Sequence, residues 1–159
     1  MTSLYFMPQV TFYLLPDDAS PTQICDGLSH AVAVLACQLT TERFRQNQTL
    51  FLLTQTQVQA EQLDEILWQQ DPHSFVPHGL SDEATVTQAP VEIGTGMPKR
   101  SRQVLINLAD GIPAFAGRFA QIIDFVPADE IQKQQARERY KQYRALGFTL
   151  ETVPAPQLP

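Results

Sequence analysis

The run TLFLLT at residues 49–54 constrains this chain more than any other stretch. It is apolar without alternation and has the length of a strand, so it reads as a β-strand covered on both faces. A strand of that kind needs other elements packed above and below it, which points to the α/β class. The neighbouring segments supply them. Residues 10–15 (VTFYLL) form a second β-rich run, stopped by Pro16 and two aspartates. Asp26 or Ser29 can cap a helix reaching about Gln46, with apolar positions at Val32, Leu35, Cys37, Leu39 and Phe44. Thr54 or Thr56 starts another, reaching Trp68 or Gln70, with Val58, Leu63, Ile66 and Leu67 on its inner side.

The second half continues the alternation. Residues 71–80 (DPHSFVPHGL) carry two prolines and a glycine and read as irregular. Residues 90–95 and 103–108 read as strands around a basic hairpin loop, GTGMPKRSR. Pro113 opens a short helix through Ala120, residues 121–126 form a strand, and Asp129 or Glu130 opens a helix that Gly147 ends. The tail ETVPAPQLP is proline-rich and expected to be loose. The pattern predicts a single α/β domain whose mostly parallel central sheet is flanked by helices on both faces. Its boundaries are an N-terminal extension at 1–9, the domain at 10–150 and a Pro-rich tail at 151–159.

A chain of 159 residues can bury one apolar core without staples. Cys25 and Cys37 are the only cysteines, and two in this length argue for a reducing compartment rather than a disulfide scaffold. Both read as small hydrophobes in or near the first helix. MTSLYFMPQ has no basic n-region, and no apolar stretch approaches the ~20 residues of a membrane span. A soluble, cytoplasmic protein is expected.

Net charge is -6, but its distribution is uneven. Residues 1–98 hold eleven acids and two bases, Arg43 and Arg45, whereas residues 99–159 hold nine bases and six acids. A positive last third in an acidic protein points to a localised anionic partner, while the overall balance opposes non-specific duplex binding.

Catalytic signatures are missing from the sequence. It contains neither G-x-x-x-x-G-K-[ST] nor a G-x-G-x-x-G between strand and helix. Gly94-x-Gly96-x-x-Lys99 comes closest, but it leads into Arg100, Arg102 and another strand, leaving no helix N-terminus for a phosphate. There is no G-x-S-x-G elbow, and His30, His73 and His78 form no ligand motif. Glu61, Asp64 and Glu65 fit a solvated helix face. Neither a cofactor nor a metal is expected.

Two constellations stand out. On the last helix, Lys133, Arg137, Tyr140, Lys141 and Arg144 fall within about 100° of one another, while Arg139 and Glu138 lie away from them. A solvated charged face normally mixes signs at i,i+4, and this stripe is single-signed. Cations around an aromatic can hold an acidic peptide or stack a nucleic-acid base, and the residue types leave both open. The second constellation is WQQDPHSFVPHGL from Trp68 to Leu80. Its Phe75, Val76 and Pro77 could lid the core or form an apolar ridge for a partner, the latter with some tendency to self-associate.

These residues carry a resemblance to the chi-subunit family of bacterial DNA polymerase III. FYLL at Phe12–Leu15, DEILW at Asp64–Trp68, SFVPH at Ser74–His78, PVEI at Pro90–Ile93 and ARERYKQYRALGF at Ala136–Phe148 follow the family's order across residues 10–150. The N-terminal MTSLYFMPQ and residues 81–89 and 94–102 resemble it only loosely. The resemblance implies a non-catalytic accessory subunit linking the clamp loader, through the psi subunit, to the acidic C-terminal tail of single-stranded-DNA-binding protein. It implies that Lys133, Arg137, Tyr140, Lys141 and Arg144 bind that tail, with Trp68 bordering the pocket. It implies that Phe75, Val76 and Pro77 meet psi, and that DNA contact is mostly indirect. Direct single-stranded nucleic-acid binding by the same helix is the alternative. A nucleotide-dependent enzyme would need the phosphate loop that the sequence lacks.

Overall fold

The computed structural model describes residues 7–19, 21–70 and 75–156. Residues 1–6 of the expected N-terminal extension, His73 and Ser74 of the aromatic loop, and tail residues 157–159 lie outside the described residues.

Strand β1 (Gln9–Leu14) is followed by a small antiparallel pair, β2 (Gln23–Cys25) and β3 (Leu28–Ser29), then helix α1 (His30–Arg45), β4 (Leu50–Thr54) and helix α2 (Gln57–Trp68). Next come β5 (His78–Leu80), β6 (Val91–Gly94), β7 (Val104–Leu108), β8 (Gln121–Val126), helix α3 (Glu130–Ala145) and β9 (Thr149–Pro154). Among the described residues, seven strands form one sheet in the order β5-β6-β4-β7-β8-β1-β9. Every neighbouring pair in it is parallel.

The helix starts follow the capping residues. Ser29 Oγ accepts the Val32 N–H at 3.2 Å, and Asp129 accepts the Gln132 N–H at 3.0 Å. Thr56 and Gln59 form a reciprocal capping box, and the Gln59 amide also donates to the Asp26 carbonyl at 2.8 Å. Gly147 ends α3 at φ 85°, in the left-handed region that glycine enters without a Cβ penalty.

β4 sits in the middle, as its composition requires. Leu50 and Leu52 face α1 and α2, while Phe51 and Leu53 face the other layer. The first layer is mainly apolar, joining Leu35 and Leu39 of α1 and Leu63 and Leu67 of α2 to Val104, Ile106 and Ile123. In the second layer α3 covers only part of the sheet, setting Ala136 and Tyr143 against Val10, Phe12 and Ile122. The crossover segments at 95–103 and 109–120 serve the remainder, with Phe115 and Phe119 packed in the same cluster as Phe51.

Several local expectations are corrected. The basic segment between β6 and β7 is no hairpin loop, because β4 lies between these two parallel strands and the segment crosses it. The helix expected from Pro113 shrinks to a single 3-10 turn, Ala116–Arg118. Residues 78–80 of the irregular stretch add a short edge strand beside β6. The tail is not loose at its start, since Thr149–Pro154 pairs with β1 along its whole length. Its side chains are exposed or half-buried, so an edge strand of this kind carries no apolar signal. Val58, expected inside, is 56% exposed.

Candidate docking surfaces

α3 is held to the sheet by charge as well as by apolar contact. Arg139, on the inward side of the helix, donates from Nε to both oxygens of Asp124 on β8, at 3.2 and 3.1 Å, and from Nη2 to Oδ1 at 3.0 Å. Its remaining donors reach the carbonyls of Asp110 and Phe125. Tyr143 donates its hydroxyl to Asp124 at 2.9 Å and accepts from Asn107 at 3.1 Å. Burial opposes the Arg139 charge, but the Asp124 carboxylate outweighs it, and the arginine pKa ends above its ordinary value. Burial and the Asp124 charge push the Tyr143 hydroxyl well above the usual tyrosine range. Neither Asp124 nor this use of Arg139 was foreseen. A lone carboxylate in the apolar strand QIIDFV was the available signal, because a buried charge needs a partner.

This anchoring orients the cationic stripe. Arg137, Lys141 and Arg144 are exposed, Lys133 is half-buried, and the half-buried Tyr140 ring rests 5.4 Å from that of Phe12. The structure therefore brings all five stripe residues onto one flank of α3. The stripe is not wholly free of acids. Lys133 Nζ lies 3.2 Å from Asp17 and 3.7 Å from Glu130, and Lys141 Nζ lies 3.6 Å from Glu138. Among the described residues, Arg137 and Arg144 make no ion pair.

The aromatic loop divides between surface and core. Phe75 is 48% exposed and Trp68 57% exposed, with their rings 5.5 Å apart. Val76 is fully buried in the α1–α2 layer, which corrects its placement in a contact surface. Neighbouring side chains thus divide between the two environments, Phe75 outside and Val76 inside. Pro77 is half-buried. His78 supports the ridge from below, 5.0 Å from the Trp68 ring. Its Nδ1 can only donate to the Val76 carbonyl at 2.7 Å, and its Nε2 lies 3.2 Å from Asp64. Burial raises the Asp64 pKa, and His78 opposes that shift.

Trp68 is also corrected. It belongs to α2, on the face opposite α3, and its ring partners are Phe75 and His78, so the structure brings it to the ridge rather than to the stripe. Among the described residues, no group of three or more His, Cys, Asp or Glu side chains could hold a metal ion, and no helix is long and apolar enough to cross a membrane.

A family model described as "DNA polymerase III chi subunit, HolC" matches residues 7–151 of this fold. The chain belongs to that family. It is 43% identical over 149 residues to the DNA polymerase III subunit chi of Escherichia coli K12, covering 92% of this chain and 98% of that protein. The subunit chi of Haemophilus influenzae is 43% identical over 144 residues, covering 89% and 93%. That of Pseudomonas aeruginosa is 31% identical over 153 residues, covering 96% and 100%. As a chi-family member the chain is a replication accessory subunit.

Proposed function

We propose that this chi-family chain is a non-catalytic docking subunit with two protein sites on opposite layers of the sheet. The α3 stripe takes the acidic C-terminal tail of single-stranded-DNA-binding protein. The Trp68–Phe75 ridge, with Pro77 beside it, takes the psi subunit. Through psi the chain joins the clamp loader, in the cytoplasm, and its contact with DNA is mostly indirect.

The observation that carries the reading is the exposure of Arg137, Lys141 and Arg144 around the half-buried ring of Tyr140. Cations around an apolar ring suit a peptide that combines carboxylates with an apolar side chain. Two adjoining rings exposed at 57% and 48% support the second site, because contiguous apolar surface marks partner contacts.

Calorimetry with an acidic peptide ending in Pro-Phe tests the first site. Arg137→Ala should weaken binding by about 2 kcal/mol, and added salt should weaken the parent complex. Tyr140→Ala should weaken it as well. Unchanged affinity in both variants removes the stripe from the account. Binding of a bare oligonucleotide by α3, with no response to the peptide, transfers the stripe to the nucleic-acid alternative. For the second site, Phe75→Ala should abolish co-purification with psi.

A further inference from the structure

The aromatic ridge stands on a buried ionisable pair that docking alone leaves unused. The His78 side chain is fully enclosed, with ring centroids 5.0 Å from Trp68 and 6.5 Å from Phe75. The Val76 carbonyl can only accept, so the 2.7 Å bond at Nδ1 fixes a hydrogen there. Nε2 then faces Asp64 Oδ1 at 3.2 Å, an ion-pair contact rather than an aligned hydrogen bond.

The two protonation states of the ring differ sharply in this setting. Without a second proton, Nε2 presents a lone pair to a carboxylate oxygen, and the two acceptors repel. With it, an imidazolium lies beside a carboxylate, and enclosure strengthens their attraction. The surrounding charges favour the cation. Helix α2 contributes Glu61 and Glu65 besides Asp64, and the segment after β5 contributes Glu83, all of them acids acting on the Asp64 carboxylate. Strand β6 turns Val91 and Ile93 to this layer, while its Glu92 pairs with Arg102 in the other. An indole ring within about 6 Å of an imidazolium also gains a cation–π attraction that a neutral imidazole does not offer.

We propose that His78 is the positioning residue of the ridge. As an imidazolium paired with Asp64 it holds Trp68 beside Phe75, and loss of its proton loosens the ridge and weakens the docking of psi. This role rests on the ridge being the psi site. It makes that surface responsive to pH, tighter on the acid side and weaker on the alkaline side.

Trp68 is the only tryptophan in the chain, so its emission reports on the ridge directly. An imidazolium against an indole quenches it by accepting an electron, and a neutral imidazole does so far less. With His30→Gln and His73→Gln in the background, His78 is the one histidine left to titrate. Emission should rise from about pH 5 to about pH 8 as the ring loses its proton. Adding His78→Gln should leave it bright and flat. Adding Asp64→Asn should start the rise at lower pH, because the ring has lost its counter-ion. Emission that ignores pH, that responds alike with His78→Gln, or that keeps its profile with Asp64→Asn overturns the proposal. Calorimetry with psi should show affinity falling about tenfold over the same range, and no such fall with His78→Gln. Equal pH responses in the two chains overturn the link to docking. If Phe75→Ala leaves psi binding intact, the psi assignment fails instead, and the emission profile still decides whether the proton positions Trp68.

Discussion

The two layers of this protein are held by different forces. The α1–α2 layer is covered by two regular helices and is mainly apolar, its buried Thr40, Thr41 and Gln59 bonded to backbone carbonyls. The α3 layer has one helix and two crossover segments, and the buried arginine–carboxylate pairs found among the described residues, Arg139–Asp124 and Arg102–Glu92, lie in it. Regular helices satisfy their own backbone groups, whereas irregular chain laid over a sheet leaves carbonyls and N–H groups that need partners. Arg139 serves the carbonyls of Asp110 and Phe125, and Arg102 those of Val86 and Ala89. Glu92 accepts from the Lys99 N–H and the Ser81 hydroxyl. The two buried acids stand on strands, Asp124 on β8 and Glu92 on β6, and their arginines also bond carbonyls of neighbouring chain.

The sharpest test removes one partner from such a pair. Asp124→Ala leaves the Arg139 guanidinium buried without its counter-ion and should cost about 4 kcal/mol in denaturant unfolding. A loss under 1 kcal/mol would show that the α3 layer does not depend on the pair. In the other layer Leu63→Ala should cost about 3 kcal/mol through transfer and cavity terms alone, with no change between low and high salt.

The double variant Glu92→Leu/Arg102→Met separates pairing from carbonyl satisfaction. Apolar replacement of a buried ion pair is often neutral. Here it should still cost about 2 kcal/mol, because the Val86 and Ala89 carbonyls lose their donor. A neutral result would reduce Arg102 to charge pairing.

Alkaline titration probes the same layer more gently. The folded-state pKa of Tyr143 lies above its unfolded value near 10, so its contribution is present below about pH 10 and is lost as pH rises toward the folded pKa. Unfolding free energy followed by fluorescence should fall in that window. Tyr143→Phe should flatten the slope while costing about 1 kcal/mol at neutral pH. The smallest effect belongs to the ridge. Phe75→Ala should change the stability of the isolated chain by no more than about 0.5 kcal/mol, since its ring is half in solvent.

Much of the architecture was legible because local and global signals agree. The unbroken apolar run of β4 meant burial on both faces, Ser29, Thr56 and Asp129 occupy the N-caps open to them, and Gly147 ends α3. The five stripe residues could be placed on one flank of α3 because helical periodicity alone decides it. Side-chain direction in the aromatic loop was not legible. Val76 turns inward and Trp68 joins Phe75 only because of where α2 and β5 pack. β9 was missed because an exposed edge strand is specified by hydrogen bonds to β1, which leave no mark on residue type.

By itself, then, the sequence determined the α/β class, the capped helices, the cationic flank of α3 and the resemblance to a chi subunit, because these depend on periodicity and local residue order. Only the tertiary structure decided that Asp124 meets Arg139, that Glu92 meets Arg102, and that Phe115 packs against Phe51. Each of these joins residues at least ten positions apart, and chain distance carries no information about such contacts until the sheet order is set.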